Sequence, residues 1–154
     1  MVRLSDLSSA DAAHLLAKNG TVFETEPFVE ARPLNECRVA IITTAGLHLA
    51  GQETFDLRDT GYRVLPGEVT ARDLVMSHSS VNFDRTGFQQ DLNVVFPIDR
   101  LREMEHAGEV GSVAAYHYSL MGADWEPHEI EGTANTIAGL LKEDAVNAAL
   151  LVPV

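Results

Sequence analysis

The sequence is short of cysteine, of positive charge and of long apolar runs, and each shortage removes a class of function. It has one cysteine, Cys37, so no internal disulfide forms and the reducing cytoplasm is the expected compartment. It has 11 Lys and Arg against 23 Asp and Glu, a formal net charge of −12. Phosphate backbones and anionic lipid surfaces are held by clustered cations, so neither nucleic acid nor a membrane surface is an expected partner. No apolar run approaches the roughly 20 residues of a membrane span. The stretch from Met1 to Leu16 is broken by Ser5, Asp6, Ser8, Ser9 and Asp11 and carries no signal-peptide core. Also missing are a G-x-S-x-G elbow, a P-loop and a G-x-G-x-x-G turn, which leaves serine hydrolase, NTPase and dinucleotide readings without their anchors.

What is there fits one globular domain over residues 1–154, with 45% hydrophobic and 22% charged residues. Ser8 to Lys18 reads as a helix, capped by Ser8 or Ser9 and closed by Gly20, and Thr21 to Pro33 reads as an extended connection. Arg38 to Thr44 is a short apolar run rich in β-branched residues, the pattern of a strand buried on both faces. After an irregular stretch come strands at Tyr62–Leu65 and Asp73–Ser77, a short helix over Asp84–Asp91, and a strand at Leu92–Phe96. Pro97 opens a helix that Gly108 ends, followed by a strand at Ser112–Tyr118, a helix over Ile130–Lys142 and a last strand at Ala148–Val152. Strands alternating with helices predict a three-layer αβα domain with a mostly parallel sheet; the strand order is not legible.

In such sheets ligands bind beyond the carboxyl ends of the strands. Those ends carry Thr43, Thr44, Gly46 and His48, then Ser77, His78, Ser79 and Ser80, then His117, Tyr118 and Ser119, and finally Pro153 and Val154. Polar strand ends are also what solvated loops require, so a single one signals little; four together point to a site. His48, His78 and His117 are candidate acid/base or hydrogen-bonding groups. With Asp84 or Asp91 they would make a zinc or iron set, but no HxH or HExxH spacing occurs and no metal is expected. His14, His106 and His128 sit in polar settings and read as solvated. Asp91, Asn93 and Arg100 surround a Pro97 helix start. Arg100 either pairs with Asp91 or Asp84 to fix the loop or binds a substrate carboxylate, and Asp99 suits a first helical turn without any function. Cys37 precedes the first strand, on the wrong rim, and reads as an inert thiol.

Six segments, in order, resemble one family: VAIITTAGLH (Val39–His48), MSHSSVNFD (Met76–Asp84), DLNVVFPIDRL (Asp91–Leu101), GEVGSVA (Gly108–Ala114), YSLMG (Tyr118–Gly122) and ALLVPV (Ala149–Val154). The family is the selenoprotein B group of glycine, sarcosine, betaine and D-proline reductases, especially its short members. The resemblance implies a component of a selenol- or thiol-dependent reductase that cleaves a C–N bond of an amino acid or betaine-like substrate. It also implies a partner subunit, on which a pyruvoyl group is carried in characterised relatives, and a thiol reductant. In the family a segment like ALLVPV leads into a selenocysteine or cysteine, which places the redox residue directly after Val154. Selenocysteine is encoded by UGA, so the expectation is a chain ended at that codon. His78 is then the candidate acid or base, and His48 and His117 orient substrate or the redox residue. Thr43, Thr44, Ser77, Asp84, Asp91, Asn93, Arg100 and Ser119 are expected to shape the substrate pocket. A non-catalytic partner-docking module and a His/Asp metal-dependent hydrolase or lyase are the competing readings, and a homo-oligomer is compatible with each.

Overall fold

The computed structural model describes residues 3–17, 29–79, 84–122 and 125–154. The chain forms two compact units, Met1–Glu30 and Ala31–Val154. The first contains helix α1 (Ser9–Ala17), whose start is fixed as the sequence implies: the Asp11 amide donates to Ser8 Oγ at 3.1 Å. Lys18 and Gly20, expected to end this helix, lie outside the described residues, as does Thr21 to Phe28 of the expected connection.

In the second unit the Arg38 run forms β1 (Arg38–Thr43), the centre of a mixed sheet. Along one edge it pairs in parallel with β5 (Ser112–Val113) and β6 (Tyr116–Leu120), and along the other with β7 (Ala148–Val152). β3 (Tyr62–Pro66) closes the far side of β6 in antiparallel orientation. A separate two-stranded antiparallel sheet joins β2 (Leu47–Leu49) to β4 (Leu74–Met76). The expected strand near Asp73 therefore exists but lies outside the main sheet, and β2 falls where the sequence reads as irregular.

Side-chain alternation along β1 sorts the layers. Val39 and Ile41 enter the larger core, together with Leu47, Leu65, Phe96 and the buried face of α3 (Ile98–His106). On the other face, Ile42 packs with Tyr118, Leu120 and Ile137, the last from α4 (Glu131–Glu143). Helices on both faces of the sheet make the α/β architecture expected from the alternating pattern.

Leu92–Phe96 is not a strand. A 3-10 turn occupies Leu92–Val94, because the Asp91 carboxylate accepts the Asn93 amide at 2.9 Å. Asn93 Oδ1 in turn accepts the Asp99 amide at 3.1 Å at the start of α3. A side chain that bonds its own backbone two residues on outcompetes a short β-branched run. Val95 and Phe96 still reach the core, as plugs rather than as strand residues. Asp84–Asp91 contains the short helix α2 (Thr86–Gln90).

Candidate functional site at the carboxyl rim

β5 and β6 are one strand interrupted by a break. Val39 pairs with Val113 but Ile42 pairs with Tyr118, which leaves two extra residues on the β5–β6 side. The displaced backbone groups find other partners. The Ala115 amide donates to Asp144 Oδ2 at 2.7 Å, and the Gly67 amide donates to the Ala115 carbonyl at 2.7 Å. The Ile41 amide donates to Nδ1 of His117 at 2.9 Å, so this imidazole replaces a carbonyl of the ladder.

That bond fixes the His117 tautomer: Nδ1 accepts, and the neutral ring carries its proton on Nε2. The ring is fully buried and stands edge-on to Phe96, centroids 5.5 Å apart. Burial, with Arg102 adding to it, pushes its pKa down to about 4. His48, on β2, is also buried, and its Nδ1 lies 2.9 Å from the Leu49 carbonyl, which assigns the proton to Nδ1 and leaves Nε2 as an acceptor. Among the described residues neither His48 Nε2 nor His117 Nε2 has a hydrogen-bond partner.

His78 differs from both because it meets the end of β7. Burial lowers its pKa, a hydrogen bond with the Val154 backbone acts in the opposite direction, and the Arg85 charge lowers it again. Arg85 also donates to the His78 carbonyl through Nη2. Gly46, at φ +64°, lets the first loop pass the His78 backbone; a Cβ there would sit 3.0 Å from the His78 amide nitrogen.

Val154 itself is held on two further sides. Thr44 Oγ1 accepts the Val154 amide at 2.8 Å and donates to the Val154 carbonyl at 3.3 Å. Gly122 lies so close that a Cβ would stand 2.7 Å from both the Thr44 and Val154 carbonyl oxygens. The structure therefore brings Thr44, His78 and Val154 together, with Gly122 as a spacer that the sequence motif YSLMG contains but that strand-end reasoning does not flag.

The other predicted hydroxyls serve the scaffold. Thr43 Oγ1 donates to the Val95 carbonyl at 2.8 Å, Ser119 Oγ accepts the Leu47 amide at 2.8 Å, and Ser77 Oγ accepts the Phe55 amide at 2.9 Å. Asp84, Asp91, Asn93 and Arg100 have local partners. Asp84 accepts the Thr86 amide at 2.9 Å, Asp91 and Asn93 cap as described, and Arg100 pairs with Glu103 at 2.8 Å in an exposed setting. The cation that secures this region is Arg102, which reaches Asp99 at 3.0 Å and the Gly67 and Val69 carbonyls at 2.6 and 2.9 Å. Ser80 lies outside the described residues, and Cys37 is a buried thiol facing the Pro33 carbonyl.

Hollows lie at both rims of the sheet. A groove of about 680 Å³ lies at the amino rim, lined by Arg38, Arg102, Glu105 and Ala114 among others. Arg38 is committed there, to Asp144 at 2.5 Å and to the Val113 carbonyl at 2.9 Å. A smaller cleft of about 340 Å³ lies between α4 and the sheet near the carboxyl rim, lined by Ile42, Thr44, Leu120, Trp125, Ile137 and Leu151 among others. Among the described residues no three His, Cys, Asp or Glu side chains gather to hold a metal, and no helix is long and apolar enough to cross a membrane.

The comparison with known proteins matches residues 19–154 to the glycine/sarcosine/betaine reductase selenoprotein B family. The chain belongs to that family. It is 33% identical over 122 residues to D-proline reductase subunit gamma of Acetoanaerobium sticklandii, covering 78% of this chain and 50% of that protein. It is 27% identical over 149 residues to sarcosine reductase complex component B subunit beta of Peptoclostridium acidaminophilum, covering 86% of this chain and 34% of that one. Glycine reductase complex component B subunit gamma of Carboxydothermus hydrogenoformans is 26% identical over 126 residues, with 78% and 28% covered. The chain thus spans half the length, or less, of these relatives. No solved structure matches it.

Proposed function

We propose that this chain is the strand-end part of a reductase component that cleaves a C–N bond of an amino acid or betaine-like substrate. Its redox residue, a selenocysteine or cysteine, directly follows Val154. Such a cleavage adds two electrons and two protons across the C–N bond, giving C–H and an amine. The electrons come from a selenol or thiol that ends oxidised and is restored by a thiol reductant. The observation that carries the reading is the fixture around Val154. A hydroxyl, an imidazole and a glycine close on the last residue before the expected nucleophile, and a nucleophilic anion is most useful where its position is fixed. His78 is the acid or base of this arrangement, since its ring is the one that meets the Val154 backbone. His117 and His48 position the strands around it. A partner subunit is expected because the matched relatives are named as subunits of reductases and reductase complexes.

The test is a product extended past Val154 with cysteine or selenocysteine at the next position, assayed with a thiol reductant and partner subunit for ring opening of D-proline to a linear ω-amino acid and for release of methylamine, trimethylamine and ammonia from sarcosine, betaine and glycine. His78→Ala should lower turnover by about 10²-fold in that form. Equal turnover with alanine in the position after Val154 would refute the redox assignment, and an unchanged rate in His78→Ala would remove the histidine from the chemistry.

A further inference from the structure

Residues 50–61, between β2 and β3, contain no helix or strand, a length at which structureless loops in compact domains become uncommon. Tyr62 pairs with Leu120, whose carbonyl accepts the Gly46 amide at 2.9 Å, so β3 begins at the carboxyl rim and the loop arrives beside the site. The loop is folded around one largely buried side chain, Arg63. Its Nε donates to the Glu53 carbonyl at 2.9 Å, and its Nη2 donates to the Thr54 carbonyl and to Asp59 Oδ2, both at 3.0 Å. The guanidinium also lies over the Phe55 ring, 4.2 Å from the centroid. Asp59 Oδ1 accepts the Gly61 amide at 2.7 Å, and a Cβ at Gly61 would stand 2.9 Å from that oxygen. Both ends of the loop are thereby tied to one planar cation.

Phe55 carries the arrangement onward. It is buried, and its amide donates to Ser77 Oγ at 2.9 Å. The Ser77 amide donates to the Gly46 carbonyl at 3.0 Å, and Gly46 packs against the His78 backbone. The residue before His78 is therefore held through its side chain by the loop and through its backbone by the first strand connection. We propose that Arg63 is a positioning residue for His78: it braces loop 53–61 so that the Phe55 amide holds Ser77, and Ser77 holds the imidazole that meets Val154. The brace stands on its own contacts, whereas its value to turnover rests on the reductase reading. An imidazole keeps its place only while the strand end beneath it does, and a displacement of about 1 Å can cost about 10²-fold in rate.

NMR of the imidazole rings of the purified chain, followed through a pH titration, tests it without any turnover. Arg63→Lys keeps the charge and loses the fork. It should speed amide exchange at Phe55 and Ser77, shift the His78 resonances and raise the His78 midpoint toward the ordinary 6.5, because a loosened wall admits water to a ring whose pKa burial lowers. The other groups that set this midpoint, the Val154 backbone and Arg85, are untouched by the substitution. Ser77→Ala should produce the same change, and the double variant no more than either alone. Arg58→Gly removes the loop's exposed pair with Glu129 and suits the positive φ at that position, so it should leave His78 unchanged. In the form extended past Val154, Arg63→Lys should lower kcat by about 10- to 10²-fold with little change in KM. An extended parent without activity would refute the reductase reading and leave the imidazole result standing. An unchanged His78 spectrum in Arg63→Lys overturns the proposal, as do Arg63→Lys and Ser77→Ala shifts that add, or an equal shift in Arg58→Gly.

Discussion

Acidification should destabilise this protein well above the pH at which carboxylates titrate, and His117 is the reason. Its Nδ1 accepts the Ile41 amide, its ring is fully buried, and its pKa is pushed down to about 4 from the ordinary 6.5. The unfolded chain therefore takes up a proton at a pH where the folded one does not. The stabilising effect of the neutral ring is complete above pH 6.5 and is lost progressively as the pH falls to about 4, below which this group adds no further slope. The gap corresponds to about 3 kcal/mol, a large fraction of the stability of a domain this size. His78, whose pKa is lowered mainly by burial, adds a loss of the same sign. Asp73, Asp84 and Asp91, held below their ordinary value by hydrogen bonds, lose their contribution only at lower pH still. The assay is urea unfolding at intervals between pH 7 and pH 4, with His117→Asn as the control. Asparagine places an acceptor oxygen where Nδ1 stood but does not titrate. The variant should be less stable at pH 7, from the space it leaves, and its stability should fall less steeply with acid. A native protein equally stable at pH 7 and pH 4.5, or a variant with the same slope, refutes the argument.

Gly122→Ala would put a methyl group against two carbonyl oxygens and should cost about 1–3 kcal/mol of stability, with the increase in amide exchange concentrated at Thr44 and Val154. Asn93→Ala removes the acceptor for the Asp99 amide and should cost about 1 kcal/mol by chemical denaturation. Arg100→Ala breaks an exposed pair with Glu103 and removes a minor charge effect on Asp91, so it should stay within about 0.5 kcal/mol of the parent; a larger loss would mean that Arg100 has a further role. Arg102→Lys keeps the charge but loses the planar fork that reaches Asp99, Gly67 and Val69 together, and limited proteolysis should report faster cleavage in the 67–73 loop.

The order of elements was legible because β1, α3, α4 and β7 each carry one clear period and clear ends. Legibility failed where a side chain overrules a pattern. Val94, Val95 and Phe96 look like strand residues, but the bond from Asn93 N to the Asp91 carboxylate, with the Val95 and Phe96 amides donating to the Leu92 carbonyl, makes the segment a turn. Strand order stayed hidden because it depends on long-range pairing, and the break at Ala114–Ala115 has no local signature in a run that reads as one strand. At the rim, the sequence named Thr44 and His78 but gave equal weight to Thr43, Ser77 and Ser119, whose hydroxyls bond the scaffold. A hydroxyl's partner cannot be read from its position in a strand. Gly122 is harder still, since its role consists in the absence of a side chain.

The two rims of the sheet divide the charge between them. At the amino rim Arg38, Asp144, Arg102 and Asp99 hold the strand break, the end of α4 and the 67–69 loop in one set of ion pairs and carbonyl bonds. The two cations of the groove there, Arg38 and Arg102, are occupied in holding the frame. At the carboxyl rim the groups that meet Val154 are a hydroxyl, an imidazole and a glycine, none of them anionic. In a chain of net charge −12 that local neutrality has a consequence. Among the described residues no carboxylate is bonded to Val154, so a selenolate or thiolate placed after it would have Arg85, held to the His78 carbonyl, as the nearest cation the contacts identify. Neutralising it in the extended form, as Arg85→Gln, should therefore raise the apparent pKa of the redox residue in alkylation-rate profiles, because a nearby cation favours the anion. An unchanged profile would mean that the anion is stabilised by something other than this loop.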